Sequence, residues 1–183
     1  MATMIDLPES ELRERLATAL SVQRWVDEVA ASAPFDDVDA LVGAATAAGS
    51  PLSEAEVDEA MAHHPRIGEA PTGEGAAQEF SRREQEASAQ TDDPQLAKAL
   101  AEGNATYEER FGRVFLIRAA GRSRAEIVDE LERRLKLDDE TEKQVVGEQL
   151  VEIAALRLRQ MFAAATAETG RTSETASPRE PAA

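Results

Sequence analysis

The chain has 183 residues, 42% of them hydrophobic, enough for one domain with a buried core. It has no cysteine, which excludes disulfides, thiolate catalysis and metal sites built on sulfur. Its formal charge of −16 repels phosphate backbones and argues against nucleic acid as a partner. There is no apolar run of bilayer-spanning length and no basic-then-apolar leader at the start, so the chain reads as soluble, cytoplasmic and without a membrane partner.

Alanine, leucine, glutamate and arginine dominate, all good helix formers, and sustained period-two alternation is absent. Residues 9 to 31 read as one or two helices carrying Leu12, Leu16, Leu20, Trp25, Val26 and Val29, and Pro34 interrupts. Helical spacing resumes from Asp36 to Ala48 and closes at Gly49. Ser53-x-x-Glu56 is a capping-box signature opening a helix with Val57, Ala60 and Met61, which should stop near His64 because Pro65 disfavours α backbone before it. "GEAPTGEG" (68–75) is loop by composition, and a helix is expected from about Ala76 to Ala89. Asp93-Pro94 opens another through Arg110. "RVFLIRAA" (113–120) fits either an extended segment or a buried helical turn. Ser123-x-x-Glu126 is a second capping box, before Ile127, Leu131 and Leu135. The last long helix is expected from about Asp139 to Ala165, and the polar, proline-bearing residues 166–183 read as a disordered tail.

Both histidines of the chain lie in "MAHHPRIGEA" (61–70). At the C-terminal end of a helix, His64 meets the negative end of the dipole, which favours imidazolium. A ring held there by a following proline suits a general acid or an electrostatic anchor, while the plainer alternative is a cap on a terminal carbonyl. His63 and His64 point roughly 100° apart on a helix and cannot chelate as an i, i+4 pair does. In "SRREQ" (81–85), Ser81, Glu84 and Gln85 share one helical face with the small residues Ala77 and Ser88. Spacing fits a ligand-facing surface and a helix start at Ser81 about equally. Val146, Leu150, Ile153 and Arg157 form one stripe, so Arg157 should point inward. Its guanidinium then grips a substrate anion, pairs with an internal glutamate, or snorkels to water. Arg118, inside the apolar run, poses the same question, with a structural ion pair as the plain answer.

"HHPRIGE" (63–69), "SRREQ" (81–85), "GNATYEERFGRVFLIRAAGRS" (103–123), "ELERRL" (130–135) and "EIAALRLRQ" (152–160) together resemble the 2-oxo-4-hydroxy-4-carboxy-5-ureidoimidazoline (OHCU) decarboxylase family, over roughly residues 7 to 163. The resemblance implies an all-α fold, a single-domain helical bundle of about seven to nine helices over 1–165, followed by the tail. It implies conversion of OHCU, a small-molecule substrate, to (S)-allantoin in urate breakdown, without metal or organic cofactor, by a homodimer. By motif, His64 and Glu84 match the catalytic residues. Ser81 and Gln85 match substrate-binding positions, and Pro65 lines the site. Phe115, Leu116, Ile117, Arg118 and Ala119 match the segment that holds the ring largely through backbone groups, and Arg157 matches the arginine that addresses the substrate. Arg66 and Ile67 depart from the acidic residue and leucine that many members carry after His-Pro. Beside a carboxylate and a helix end, His64 should titrate above its ordinary value of about 6.5. The rival readings are a non-enzymatic acidic helical interaction module and a metal-dependent hydrolase using both histidines.

Overall fold

The computed structural model describes residues 4–62, 64, 67, 79–80, 82–83 and 93–172, with side chains as far as 163. Among these residues are seven helices: α1 (Glu9–Ala19), α2 (Gln23–Ala31), α3 (Val38–Ala48), α4 (Glu54–Met61), α5 (Pro94–Phe111), α6 (Arg124–Arg134) and α7 (Asp139–Thr172). The all-α expectation is therefore met. The described β pairing is one isolated antiparallel bridge, Ile5 with Phe35.

The stretch 9–31 resolves into two helices. Leu20 and Val22 take extended backbone and bury their side chains, while Ser21 between them stays exposed. Breaking the helix there lets both apolar side chains enter the core. Both capping boxes form, Ser53 with Glu56 and Ser123 with Glu126, each satisfying otherwise unpaired amides of the first turn. Asp93 caps α5 through the Gln95 amide (2.8 Å), with Pro94 in the first turn. At the other end of α5, Gly112 adopts left-handed backbone (φ 67°), and its amide donates to the Glu108 carbonyl at 2.8 Å. Residues 79–80 and 82–83 have helical backbone, with an ion pair between Glu79 and Arg83, as the helix expected over 76–89 requires. The helix α7 runs on to Thr172, past its expected end near Ala165. The alanine run 163–165 carries the helix on into residues that composition had read as the start of a tail.

α7 is the organising axis. It packs against α1, α3 and α4, while α1 pairs with α2, α2 with α3, and α5 with α6. Two apolar cores result. The first joins α1–α4 to α7 around Trp25, whose indole N–H donates to the Ala45 carbonyl (2.8 Å). The second lies between α5 and α6 and includes Leu100, Tyr107, Ile127 and Leu131. Gly103 permits that second contact, since a Cβ there would stand 2.4 Å from Leu131 Cδ2. Among the described residues, no helix is long and apolar enough to cross a membrane.

Candidate active site

α4 ends at Met61, and the chain continues in a turn through Ala62, with the His64 amide donating to the Met61 carbonyl (3.2 Å). The half-buried His64 ring sets Nδ1 2.9 Å from the Ala60 carbonyl, one helical turn back. A carbonyl only accepts, so Nδ1 carries the proton. Nε2 is then an acceptor in the neutral ring and a donor in imidazolium. The capping reading of His64 thus holds geometrically, and it is compatible with acid–base work: the cap bond fixes the tautomer and aims Nε2, which is itself shielded from solvent. Three residues on, Ile67 is buried in the second core, and its carbonyl accepts from Asn104 Nδ2 at 2.9 Å. The segment after His-Pro is therefore tied to α5.

Residues 113–120 contain no helical turn before Ala120. Phe115, Ile117 and Ala119 belong to the second core and Leu116 to the first, the alternation of an extended chain. Of the two readings open from sequence, the extended one is correct. The run is apolar on both sides because it lies between two cores. Arg113 pairs with Asp139 (2.9 Å) at the start of α7, and the Arg118 amide donates to Gln149 Oε1 (3.0 Å), about three turns along it. The segment therefore lies along α7 in the same direction. On the same edge as the Arg118 amide, Arg134 Nη1 donates to the Leu116 carbonyl at 2.6 Å. In extended chain the Leu116 carbonyl and the Arg118 amide point the same way, and the N–H and C=O of Ile117 point the opposite way. One edge of the segment is thus held internally, and the edge carrying Ile117 faces away from those anchors.

The Arg118 guanidinium pairs with Glu152 (2.9 Å) and donates to the Ala120 carbonyl (2.8 Å). Its side chain serves the structural ion pair anticipated as the plain alternative. Arg157 is buried, 3% exposed, on the stripe with Val146, Leu150 and Ile153. That burial removes the snorkelling alternative, which requires the charged head to reach water. Pro65, Ser81, Glu84 and Gln85, together with His63, lie outside the described residues.

The polar centre between α5, α6 and α7 was not anticipated. Arg134 and Glu142 are fully buried, and Arg134 Nε meets the two carboxylate oxygens of Glu142 at 2.9 and 3.1 Å. The Tyr107 hydroxyl donates to the same carboxylate, and the Arg134 guanidinium stacks over the Phe115 ring, 4.7 Å from its centroid. Burial foremost, then the adjacent carboxylate, pushes the Tyr107 phenol well above its ordinary range, so it remains a donor. The signal was present in the sequence. Ile127, Leu131 and Arg134 are spaced i, i+4, i+7, and Glu142 stands one turn before Val146, the spacing logic that singled out Arg157.

The bundle thus sets a tautomer-fixed histidine at a helix end and an extended backbone segment between its two cores. Residues 6–159 match the family model described as OHCU decarboxylase, and the chain belongs to that family. It is 27% identical over 157 residues to the uric acid degradation bifunctional protein TTL of Arabidopsis thaliana, covering 84% of this chain and 48% of that protein. The chain thus spans about half the length of this curated relative. In fold it is similar to a crystal structure of OHCU decarboxylase in the presence of (S)-allantoin, with TM-score 0.68 and 22% identity, covering 82% of this chain and 98% of the other. It is also similar to a crystal structure of (S)-allantoin synthase, with TM-score 0.60 and 18% identity, over 84% of this chain and 50% of that one.

Proposed function

We propose that this chain is a cofactor-independent carboxy-lyase that converts OHCU to (S)-allantoin. The observation that carries the reading is the His64 ring, locked by the Ala60 carbonyl in a chain that belongs to the OHCU decarboxylase family. The substrate carbon that bears hydroxyl and carboxylate is bonded to a ring carbon engaged in C=N. When the bond to the carboxylate breaks, CO2 leaves and its electron pair forms a C=C bond, displacing the C=N electrons onto the ring nitrogen. The hydroxyl proton passes to that ring nitrogen as the former hydroxyl carbon becomes a carbonyl, and a proton arrives on one face of the neighbouring carbon. The ring itself is the electron sink, so the chemistry asks for proton handling and positioning.

In this reading His64 Nε2 and Glu84 form the proton-handling pair, with Glu84 orienting the ring or relaying the proton. Ser81 and Gln85 bond the ureido and ring amide groups, and Pro65 lines the site. The 115–119 segment offers the Ile117 backbone edge to the planar ring. Arg157 supplies a buried positive charge for the carboxylate in a protein whose overall field is negative. The same reading carries a cytoplasmic homodimer, and a solution mass near 19.7 kDa by light scattering, not twice that, overturns the dimer.

The test is the optical activity of allantoin formed from freshly generated substrate. The enzyme gives one enantiomer, and the spontaneous route gives a racemate. Either His64→Ala or Glu84→Ala should reduce turnover by roughly 10²- to 10⁴-fold. A racemic product with the unaltered protein would instead favour an acidic interaction module.

A further inference from the structure

The buried Tyr107–Arg134–Glu142 centre has no part in the proton chemistry, yet it is costly to bury. Removing two charges from water costs several kcal/mol per ion, and well-packed apolar residues often serve stability as well or better. Such a centre is accounted for by what it holds. Arg134 divides its donors: Nε faces Glu142 and Nη1 faces the Leu116 carbonyl, while the guanidinium plane covers Phe115. It therefore grips consecutive residues of the extended segment by backbone and by ring. Glu142 of α7 fixes the guanidinium in turn, and Tyr107 of α5 fixes Glu142 by donating to its carboxylate. Tyr107 lies three residues after Asn104, on the same face of α5, and Asn104 holds the Ile67 carbonyl of the His64 segment. One face of one helix thus addresses both chain segments assigned to the site.

We propose that Arg134 is a positioning residue for substrate binding: backed by Glu142 and Tyr107, it sets the register of the 115–119 segment, and so the direction of the Ile117 N–H and C=O. The inference rests on the proposed function in taking that segment as the surface that receives the substrate ring. Arg134 acts through the Leu116 carbonyl and touches no reacting atom. Its effect therefore belongs in KM, with kcat nearly preserved.

Two variants test this. Arg134→Lys keeps a cation beside Glu142 but loses the fork that reaches Leu116 at the same time. KM for OHCU should rise by about 10-fold with kcat within about 3-fold, the scale expected when a binding group is displaced by a fraction of an ångström. The triple variant Tyr107→Phe, Arg134→Met, Glu142→Leu replaces the centre with apolar groups of similar size. It should melt at or above the temperature of the unaltered protein and still show the raised KM, which a merely structural role would not produce. Unchanged KM in either folded variant overturns the proposal, and the triple variant decides if Arg134→Lys does not fold. Amide hydrogen exchange at Leu116, Ile117 and Arg118 should be faster in both variants, whatever the activity. An unaltered protein that fails to turn over OHCU sinks the functional reading, whereas unchanged exchange at those amides sinks the positioning role.

Discussion

Asn104 occupies the interior of α5, where asparagine is a poor helix former, and it is 4% exposed. Its amide nitrogen is given to the Ile67 carbonyl, 37 residues earlier in the chain. Asn104→Ala strands that carbonyl in the second core, at a cost of roughly 1–3 kcal/mol. Urea unfolding should show the loss, and turnover should fall further than the stability change explains, because the segment carrying His64 loses its tether. A destabilisation below about half a kcal/mol would mean that the carbonyl finds another donor. At this scale the sequence was partly legible. The inward stripe on α7 identified Arg157. Arg134 escaped the same logic because its neighbour Arg133 is equally basic, and stripe spacing alone does not choose between Arg134 and Leu135. In the fold Arg133 turns outward to Glu130 and Arg134 inward to Glu142. Glu142 was hidden by company: Asp138, Asp139 and Glu140 precede it, and nothing in an acidic helix start marks which carboxylate will be buried.

Helix starts and stops were the most readable elements. Both capping boxes and the Asp93-Pro94 start follow from short-range bonds that need no tertiary partner. The 113–120 segment was ambiguous because the periodicity that separates helix from strand vanishes when a run is buried on both sides. The capping box of α4 also does tertiary work. Glu56 holds Ser53 by hydrogen bond and meets Arg24 of α2 at 2.6 Å, and Arg24 reaches on to the Ala48 carbonyl at the end of α3 (2.7 Å). The Arg24 bond foremost, then the Ser53 backbone, holds the Glu56 carboxyl down to about 2. A carboxylate depressed in the folded state adds stability above its unfolded value, near 4.5, and that stability is lost as pH falls through about 2. Glu56→Gln should therefore be less stable than the unaltered protein at pH 7. The gap should begin to narrow below about pH 4.5 and close near pH 2, as read by denaturant unfolding at pH 7, 4 and 2. A gap independent of pH would show that the charge contributes nothing and that the amide satisfies the cap.

For the whole molecule, charge and chemistry pull in opposite directions. Under the proposed function, a protein with a net charge of −16 would repel the anionic substrate at long range, while the buried Arg157 would attract it only at close range. Salt screens the distant repulsion more than the short, enclosed attraction. kcat/KM should accordingly rise, by about two-fold or more, as ionic strength increases from 0.01 to 0.15 M. A fall would show that exposed cations near the entrance govern the encounter. The all-α class followed from the family resemblance, and the helical character of most of the chain was plain from composition and spacing. The division into two cores was not, because nothing local in "RVFLIRAA" says that Leu116 will look one way and its neighbours the other.

That shared strip of chain ties the two halves of the protein together. A molecule resting on Ile117 would lean on α7 through Gln149 and on α6 through Arg134, so its grip would be felt in both halves at once. Heat or denaturant that loosens either half would blunt recognition before the helices themselves melt. A catalyst of the proposed kind would then lose selectivity for one mirror image of its product while still looking folded to a spectrometer.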